Sequence, residues 1–156
     1  MPEPTFFSRI SGTAVVLENP AWNAQRQAWW TTITPSVGHL NSWFHFPIPS
    51  PASSVVPTRA VRAGVRFQTG SGAVVRQYLV ADGEIVRYNG ENLDLTQPRM
   101  GVCARDIPNT PHVSNSLVIT LQVEFSGLTP ENYVRLSWAE VVFREDKEEV
   151  EGAGDI

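Results

Sequence analysis

Hydrophobic and polar residues alternate along two segments of the chain. Every second residue from Ser116 to Phe125 is apolar, and Thr58 to Phe67 alternates in the same way, with Arg62 and Arg66 at polar positions. A period of two is typical of a strand that buries one face and exposes the other to water. The sequence therefore predicts a half-buried strand over each segment.

An Asp-Gly pair lies between two runs rich in β-branched and aromatic residues, within Val74 to Tyr88. Asp82-Gly83 favours a two-residue turn of the primed type, which predicts a hairpin. In that register Tyr78 lies opposite Arg87, and we expect a cation–π pair between them.

The alternation changes phase within the segment from Tyr133 to Phe143. A β-bulge near Ala139-Glu140 would explain the change, because it shifts the side chains that follow to the other face. The run from Leu128 into Tyr133 resembles the tyrosine corner of Greek-key sandwiches, so we expect Tyr133 to have a structural role.

Weaker patterns complete a chain of about eight or nine short strands. They lie at Gly12 to Leu17, Trp29 to Thr34, Asn41 to Phe46 and Leu93 to Gln97, while Ala21 to Trp30 is a candidate short helix. Strands without intervening helices predict one antiparallel β-sandwich or jelly roll. We place this domain at residues 9–144, with a flexible N-terminal arm at 1–8 and an acidic C-terminal tail at 145–156.

Charge is distributed unevenly along the 156 residues, whose formal net charge is -4. Residues 145–156 contain six acidic side chains and one lysine, so the remaining chain is nearly neutral, and its basic residues are all arginine. Nucleic-acid binding normally needs a basic surface, which makes this partner class unexpected. Without a transmembrane or signal segment, we expect a cytoplasmic protein that does not bind membranes.

The sequence contains no recognisable catalytic or phosphate-binding motif. Cys103 is the single cysteine, and we expect neither a metal site nor a cofactor. A small jelly-roll enzyme using His39, His45 or Cys103 is kept as a third reading, behind two non-catalytic ones.

Tryptophan is concentrated in the first third of the chain, which contains four of the five. Trp43 and Trp138 are expected in the core, although Trp43 also belongs to the aromatic and proline-rich segment that is a candidate interface. Exposed aromatic rings and arginines are favoured at interfaces and ligand surfaces. The candidate binding residues are Trp22, Trp29, Trp30, Trp43, His45, Arg62, Arg66, Tyr78 and Arg87.

The run from Trp43 to Pro49, Trp-Phe-His-Phe-Pro-Ile-Pro, resembles a motif of a mainly bacterial family of small proteins of unknown function. The stretch Arg66 to Thr69, the Asp82-Gly83 hairpin and the closing strand ending in Phe143 are also similar to that family. The resemblance covers roughly residues 29–144. It implies an all-β domain and assigns no activity or site residue.

Two functional hypotheses follow from these patterns. The first is a non-catalytic β-sandwich that self-associates or docks into a larger assembly through strand edges and the aromatic and proline-rich segment, as a homo-oligomer or with a protein partner. The alternative is a carbohydrate-binding, lectin-like module with a glycan as its partner. Its platforms would be Trp22, Trp29 or Trp30, and its hydroxyl partners Arg62, Asn89, Glu91 or Asp94.

Overall fold

The computed structural model describes residues 5–49 and 57–145, which form eleven strands and one turn of 3-10 helix, Gly12–Ala14. The predicted antiparallel β-sandwich is confirmed, with more strands than the eight or nine expected. The strands are β1 (Thr5–Ser11), β2 (Val16–Leu17), β3 (Asn23–Arg26), β4 (Thr31–Thr34), β5 (Asn41–Ile48), β6 (Thr58–Thr69), β7 (Ala73–Asp82), β8 (Ile85–Gly90), β9 (Gly101–Asp106), β10 (Leu117–Phe125) and β11 (Val134–Glu145).

Two antiparallel sheets form the sandwich. Sheet A has the order β3-β4-β11-β6-β9, and β1 pairs with β11 beyond the end of β4. Sheet B has the order β2-β5-β10-β7-β8. Four strand pairs are nested along the chain, which is the connectivity of a jelly roll: β7–β8 inside β6–β9, inside β5–β10, inside β4–β11.

The hydrophobic core lies between the sheets and follows the predicted alternation. In β10, Leu117, Ile119, Leu121, Val123 and Phe125 are each no more than 2% exposed. In β6, Ala63, Val65 and Phe67 are buried and Arg62 and Arg66 face outward. Val61, also expected inward, is half-exposed, because the pairing with β11 shifts there. The two strongest strand predictions are therefore confirmed.

A β-bulge in β11 lies earlier than the sequence suggested. The pairing with β6 shifts between Leu136 and Trp138, which leaves Ser137 as the extra residue. Leu136 and Ala139 are consequently both buried, while Trp138 points outward. The expected bulge at Ala139-Glu140, and with it the core position of Trp138, was wrong.

The β7–β8 hairpin is present with a different turn. Gly83 and Glu84 form the turn, and Gly83 adopts φ 61°. Asp82 ends β7 instead, where its buried carboxylate accepts hydrogen bonds from the backbone N–H groups of Ser114 (2.7 Å) and Asn115 (2.8 Å). Asp82 thereby anchors the loop before β10.

Several weaker expectations also need correction. The N-terminal arm at 1–8 was wrong from Thr5 onward, because β1 begins there. The candidate helix at Ala21 to Trp30 is instead β3 followed by a turn. The acidic tail from residue 146 onward lies outside the described residues. Within the described ranges, no helix is both long and apolar enough to cross a membrane.

The loop between β10 and β11 is tied by Asn132, the residue before the expected corner tyrosine. The Asn132 side chain is 2% exposed. Its Oδ1 accepts hydrogen bonds from the backbone N–H groups of Ser126 (2.9 Å) and Gly127 (3.1 Å), and its Nδ2 donates to Thr129. The amide gives the Gly127 N–H its partner and reinforces Ser126, whose N–H also donates to the Gly72 carbonyl at 2.8 Å.

We predict that Asn132→Ala lowers the free energy of unfolding by about 1–3 kcal/mol, because it removes a buried amide and the hydrogen bonds by which it holds Ser126, Gly127 and Thr129 together. Asn23→Ala, on the exposed surface of edge strand β3, is the matched control and should change stability little. Urea unfolding followed by tryptophan fluorescence measures both. Equal stability of the two variants would contradict the role assigned to Asn132.

Candidate functional site

The outward side of sheet B carries a row of amides beside a tryptophan. Gln122 of β10 pairs with Trp43 of β5 on one side and with Gln77 of β7 on the other. Asn41 and Asn89 extend the same surface toward its two margins. We call these five residues, Asn41, Trp43, Gln77, Asn89 and Gln122, the amide face.

Hydrogen bonds between neighbouring strands orient the amides. Gln122 donates to Asn41 Oδ1 at 3.1 Å, and Gln77 donates to Asn89 Oδ1 at 2.7 Å. Asn89 in turn donates to Glu91 at 2.7 Å. An amide has one acceptor oxygen and two donor hydrogens, so each side chain keeps hydrogen-bonding capacity for a ligand.

Charged and titratable groups border the amide face, and the basic one beside Gln77 is paired with acids. Arg76 forms ion pairs with Glu124 and Asp94, and the hydrogen bond with Glu124 raises the pKa of Arg76. On the opposite margin, His45 Nδ1 lies 2.8 Å from the hydroxyl of Thr120. The amide face itself is therefore neutral and polar, with one aromatic ring.

The outward side of sheet A has a different chemistry. Arg9 of β1 stacks over the Trp138 ring at 4.0 Å and over Phe7 at 4.8 Å, and donates to Glu140 at 2.8 Å. The bulge at Ser137 is what turns Trp138 toward this cluster. Planar guanidinium stacking of this kind holds both partners in place.

A second cation–π cluster, around Arg135, lies near the start of β11. The Arg135 guanidinium carbon is 4.8 Å from the Tyr133 ring centre and 5.5 Å from that of Trp30. Trp30 contacts Trp29 edge to face, and Trp29 is 65% exposed. We call the outward surface formed by Trp29, Trp30, Arg62, Arg66, Gln68 and Arg135 the arginine face.

The structure separates the candidate binding residues into three groups. Trp43 and His45 lie on the sheet B surface, with Trp43 outward rather than in the core as expected. Asn89 and Glu91 lie on that same side, whereas the arginine face holds Trp29, Trp30, Arg62 and Arg66. Asp94 pairs with Arg76 at the margin of the amide face.

Trp22 and Tyr78 are core residues and cannot serve as binding platforms. Trp22 is 3% exposed, packs edge-on against Phe125 and donates its indole N–H to the His39 carbonyl at 2.6 Å. Tyr78 is fully buried and packs against Tyr88. These two expectations were wrong.

The expected Tyr78–Arg87 pair was also wrong. Tyr78 is paired with Gly90, and Arg87 falls where the β7–β8 register shifts. The turn at Gly83-Glu84 moves the partner of Tyr78 from Arg87 to Asn89, and the bulge in β8 moves it one residue further, to Gly90.

Sequence reasoning missed much of both surfaces. Gln77 and Gln122 were not considered, although Gln122 occupies a polar position of the clearest alternating strand. Arg9 and Trp138 were missed because their positions depend on β1 and on the bulge. Arg135 lies before the bulge, and the buried Val134 and Leu136 on either side were the available signal that it faces outward. The alternation of Phe44, Phe46 and Ile48 was the available signal that Trp43 faces outward.

The third hypothesis, an enzyme, would need catalytic side chains that lie together, and we find no such group among the described residues. Cys103 is 6% exposed, and burial raises the pKa of its thiol, with nearby Arg105 acting in the opposite direction. The described ranges hold no group of three or more His, Cys, Asp or Glu side chains suited to a metal ion. A hollow at the β7–β8 turn is lined by Gly83, Glu84, Ile85 and Asn115, without a nucleophile and base.

A model of a protein family of unknown function, DUF6623, matches residues 1–144. The chain belongs to this family. The match begins before residue 29, where the expected resemblance started, and the family carries no assigned activity. None of the curated proteins compared with this DUF6623 member is significantly similar to it in sequence.

Solved structures similar to this DUF6623 chain include carbohydrate-binding modules. The C-terminal CBM6 of a marine laminarinase from Zobellia galactanivorans matches with a TM-score of 0.50 and 11% identity, over 87% of this chain and 98% of that one. The xylan-binding module CBM86 from Roseburia intestinalis matches with a TM-score of 0.50 and 8% identity, over 90% and 96%. These likenesses establish the shared β-sandwich fold.

A further match is isomalto-dextranase from Arthrobacter globiformis T6, with a TM-score of 0.48 and 11% identity. The alignment covers 86% of this chain but 23% of the enzyme. The DUF6623 chain thus spans about a quarter of the length of that protein.

We predict that Cys103 reacts slowly with an aromatic disulfide reagent near neutral pH, because its raised pKa keeps the thiol protonated and burial limits access. Unfolding in guanidinium should bring the rate to that of a free thiol. Ser71→Cys adds a thiol at an exposed position as a control. Rapid modification of Cys103 in the native protein would contradict this assignment.

Proposed function

We propose that this protein is a non-catalytic carbohydrate-binding module and that the amide face binds a neutral glycan. The observation that carries this proposal is the row of oriented amides from Asn41 and Gln122 to Asn89, with the ring of Trp43 beside it. The proposed sugar platform is therefore Trp43 on sheet B, and not Trp22, Trp29 or Trp30 as the sequence suggested.

Sugar hydroxyls both donate and accept hydrogen bonds, and amides match them in both roles. The C–H faces of a sugar ring are apolar and pack against an aromatic ring such as that of Trp43. Because Arg76 is already paired with Glu124 and Asp94, and Glu91 adds a further negative charge, the amide face favours an uncharged saccharide over an anionic one.

The dimensions of the amide face favour an oligosaccharide over a single sugar. Trp43 lies on β5 and Asn89 on β8, three strand spacings apart in sheet B. At about 4.8 Å per spacing, the row extends for roughly 14 Å across the strands. A glycan chain lying across the strands would contact Trp43 and the amides together.

The fold supports the same proposal more coarsely. Two of the similar structures, each with a TM-score of 0.50, are a module of a laminarinase and a xylan-binding module. A β-sandwich hosts many functions, so the specific surface has to carry the argument. Soluble β-1,3-glucan and xylan are accordingly the first neutral probes.

We predict that Trp43→Ala weakens binding of such a glycan by about 2 kcal/mol, or roughly thirtyfold, as is typical for loss of a central tryptophan. Affinity electrophoresis and titration calorimetry measure the change. Trp29→Ala removes an exposed tryptophan from the other sheet and should leave neutral-glycan binding intact. Failure to bind any neutral glycan in a broad panel, or equal effects of the two substitutions, would contradict the proposal.

A second candidate function is self-association through strand β8. This strand ends sheet B, and its residues Ile85 and Val86 are 46% and 53% exposed. An edge strand offers unpaired backbone groups to another chain, and apolar side chains strengthen such pairing. We infer that β8 is the edge best suited to the assembly expected from the sequence.

If β8 pairs between copies, Val86→Lys should convert a dimer to a monomer, since edge lysines oppose strand pairing. Light scattering after size-exclusion chromatography gives the mass. Val37→Lys, in an exposed loop, is the control and should keep the dimer. A monomeric wild-type protein would rule out this second function without affecting the glycan proposal.

A further inference from the structure

The arginine face gathers three guanidinium groups on one side of sheet A. Arg62 and Arg66 occupy outward positions of β6, and Arg135 of β11 lies beside Gln68 of β6. From Arg62 to Gln68 the strip follows β6 for about 20 Å, given a rise of roughly 3.3 Å per residue.

One carboxylate, that of Glu140, lies opposite Gly64 between Arg62 and Arg66 and is bonded to Arg9. Apart from it, the three arginines have little internal charge compensation. The Arg66 side chain forms no ion pair or hydrogen bond with any residue in 5–49 or 57–145. The Arg62–Asp106 contact is 3.7 Å long, between side chains that are 58% and 89% exposed. Such a solvated pair contributes little, so Arg62 remains available to an external anion.

Arg135 is incompletely satisfied as well. It donates to Gln68 Oε1 at 3.4 Å, and its buried Nε has no hydrogen-bond partner among the described residues. Arg9 provides a contrast within the same sheet, because it donates two hydrogen bonds to Glu140 at 2.8 and 3.0 Å. Sheet A therefore contains both a compensated arginine and a group of uncompensated ones.

Aromatic rings adjoin the uncompensated charges. Arg135 lies against Trp30 and Tyr133, and the exposed Trp29 continues the surface. A ligand suited to this surface combines a ring that packs on tryptophan with an anionic group that pairs with guanidinium. A carboxylate matches the guanidinium fork and forms charge-assisted hydrogen bonds with it.

We propose that the arginine face is a second ligand site, which binds an acidic polysaccharide of uronic acid units. The carboxylates pair with Arg66 and Arg62, and a sugar ring packs on Trp29. A polymer with a carboxylate on each unit carries its charges along a line, as the strip of arginines does. This site is independent of the amide face, which lies on the opposite sheet.

Polygalacturonate is the probe, and titration calorimetry on the full chain gives its affinity at low and raised ionic strength. We expect binding that weakens as salt increases. The double variant Arg62→Gln/Arg66→Gln should lose about tenfold or more in affinity, because it removes two charge-assisted contacts. Arg99→Gln removes the same charge from an exposed loop and should bind like the wild type.

Trp29→Ala separates ring packing from charge, since this exposed residue contributes little to the core. It should weaken polygalacturonate binding and leave thermal stability unchanged. Trp43→Ala should have no effect on this ligand, which distinguishes the arginine face from the amide face.

Four results would overturn the proposal: no binding of polygalacturonate, an equal loss in Arg99→Gln, an equal loss in Trp43→Ala, or equally tight binding of poly-glutamate. The last would identify a surface for acidic protein segments instead. Loss of neutral-glycan binding in Trp43→Ala alone leaves the acidic-polysaccharide site standing, so the two proposals fail separately.

Discussion

The register of β11 determines which side chains of this strand face the core and which form the outer surface of sheet A. This strand pairs along its length with β6 on one side, and on the other side first with β4 and then with β1. The change of partner coincides with the bulge at Ser137. Gly12 lies against this point, and an added Cβ would overlap the Leu136 carbonyl. Because glycine has no side chain, the chain between β1 and β2 can pass this close to β11.

The bulge also decides which side chains form each surface. Without the extra residue, the inward phase of Val134 and Leu136 would continue through Trp138 and place its indole in the core. With it, Ala139 and Val141 fill the core, and Trp138 stacks under Arg9. A change of one residue in register thus exchanges a buried aromatic ring for an exposed one.

Strands with regular alternation were predictable from sequence because one buried face imposes a period of two. Leu117 to Phe125 and Arg62 to Phe67 follow that rule, whereas β1, β9 and the start of β6 do not show it clearly. In β1, Phe6 and Phe7 are adjacent apolar residues, and Phe7 contacts Arg9 outside the core. An apolar residue on the outer face hides the alternation of this strand. In β9, Cys103 is the one buried residue, among small and charged neighbours.

The amide face could be predicted in part, because the alternation of Phe44 and Phe46 indicates which neighbours face outward. Its hydrogen bonds, however, join residues far apart in sequence. The arginine face additionally depends on pairings that no local pattern reveals.

Nested strand pairing has a consequence for the order in which the protein folds. The β7–β8 pair is closed by a two-residue turn, whereas β4 and β11 are separated by about a hundred residues of chain. Closing a longer loop costs more entropy, and contacts between distant residues slow folding. We therefore expect folding to proceed outward from the β7–β8 hairpin. The surface that includes Trp30 and Arg135 would be completed last, when the first and final thirds of the chain meet.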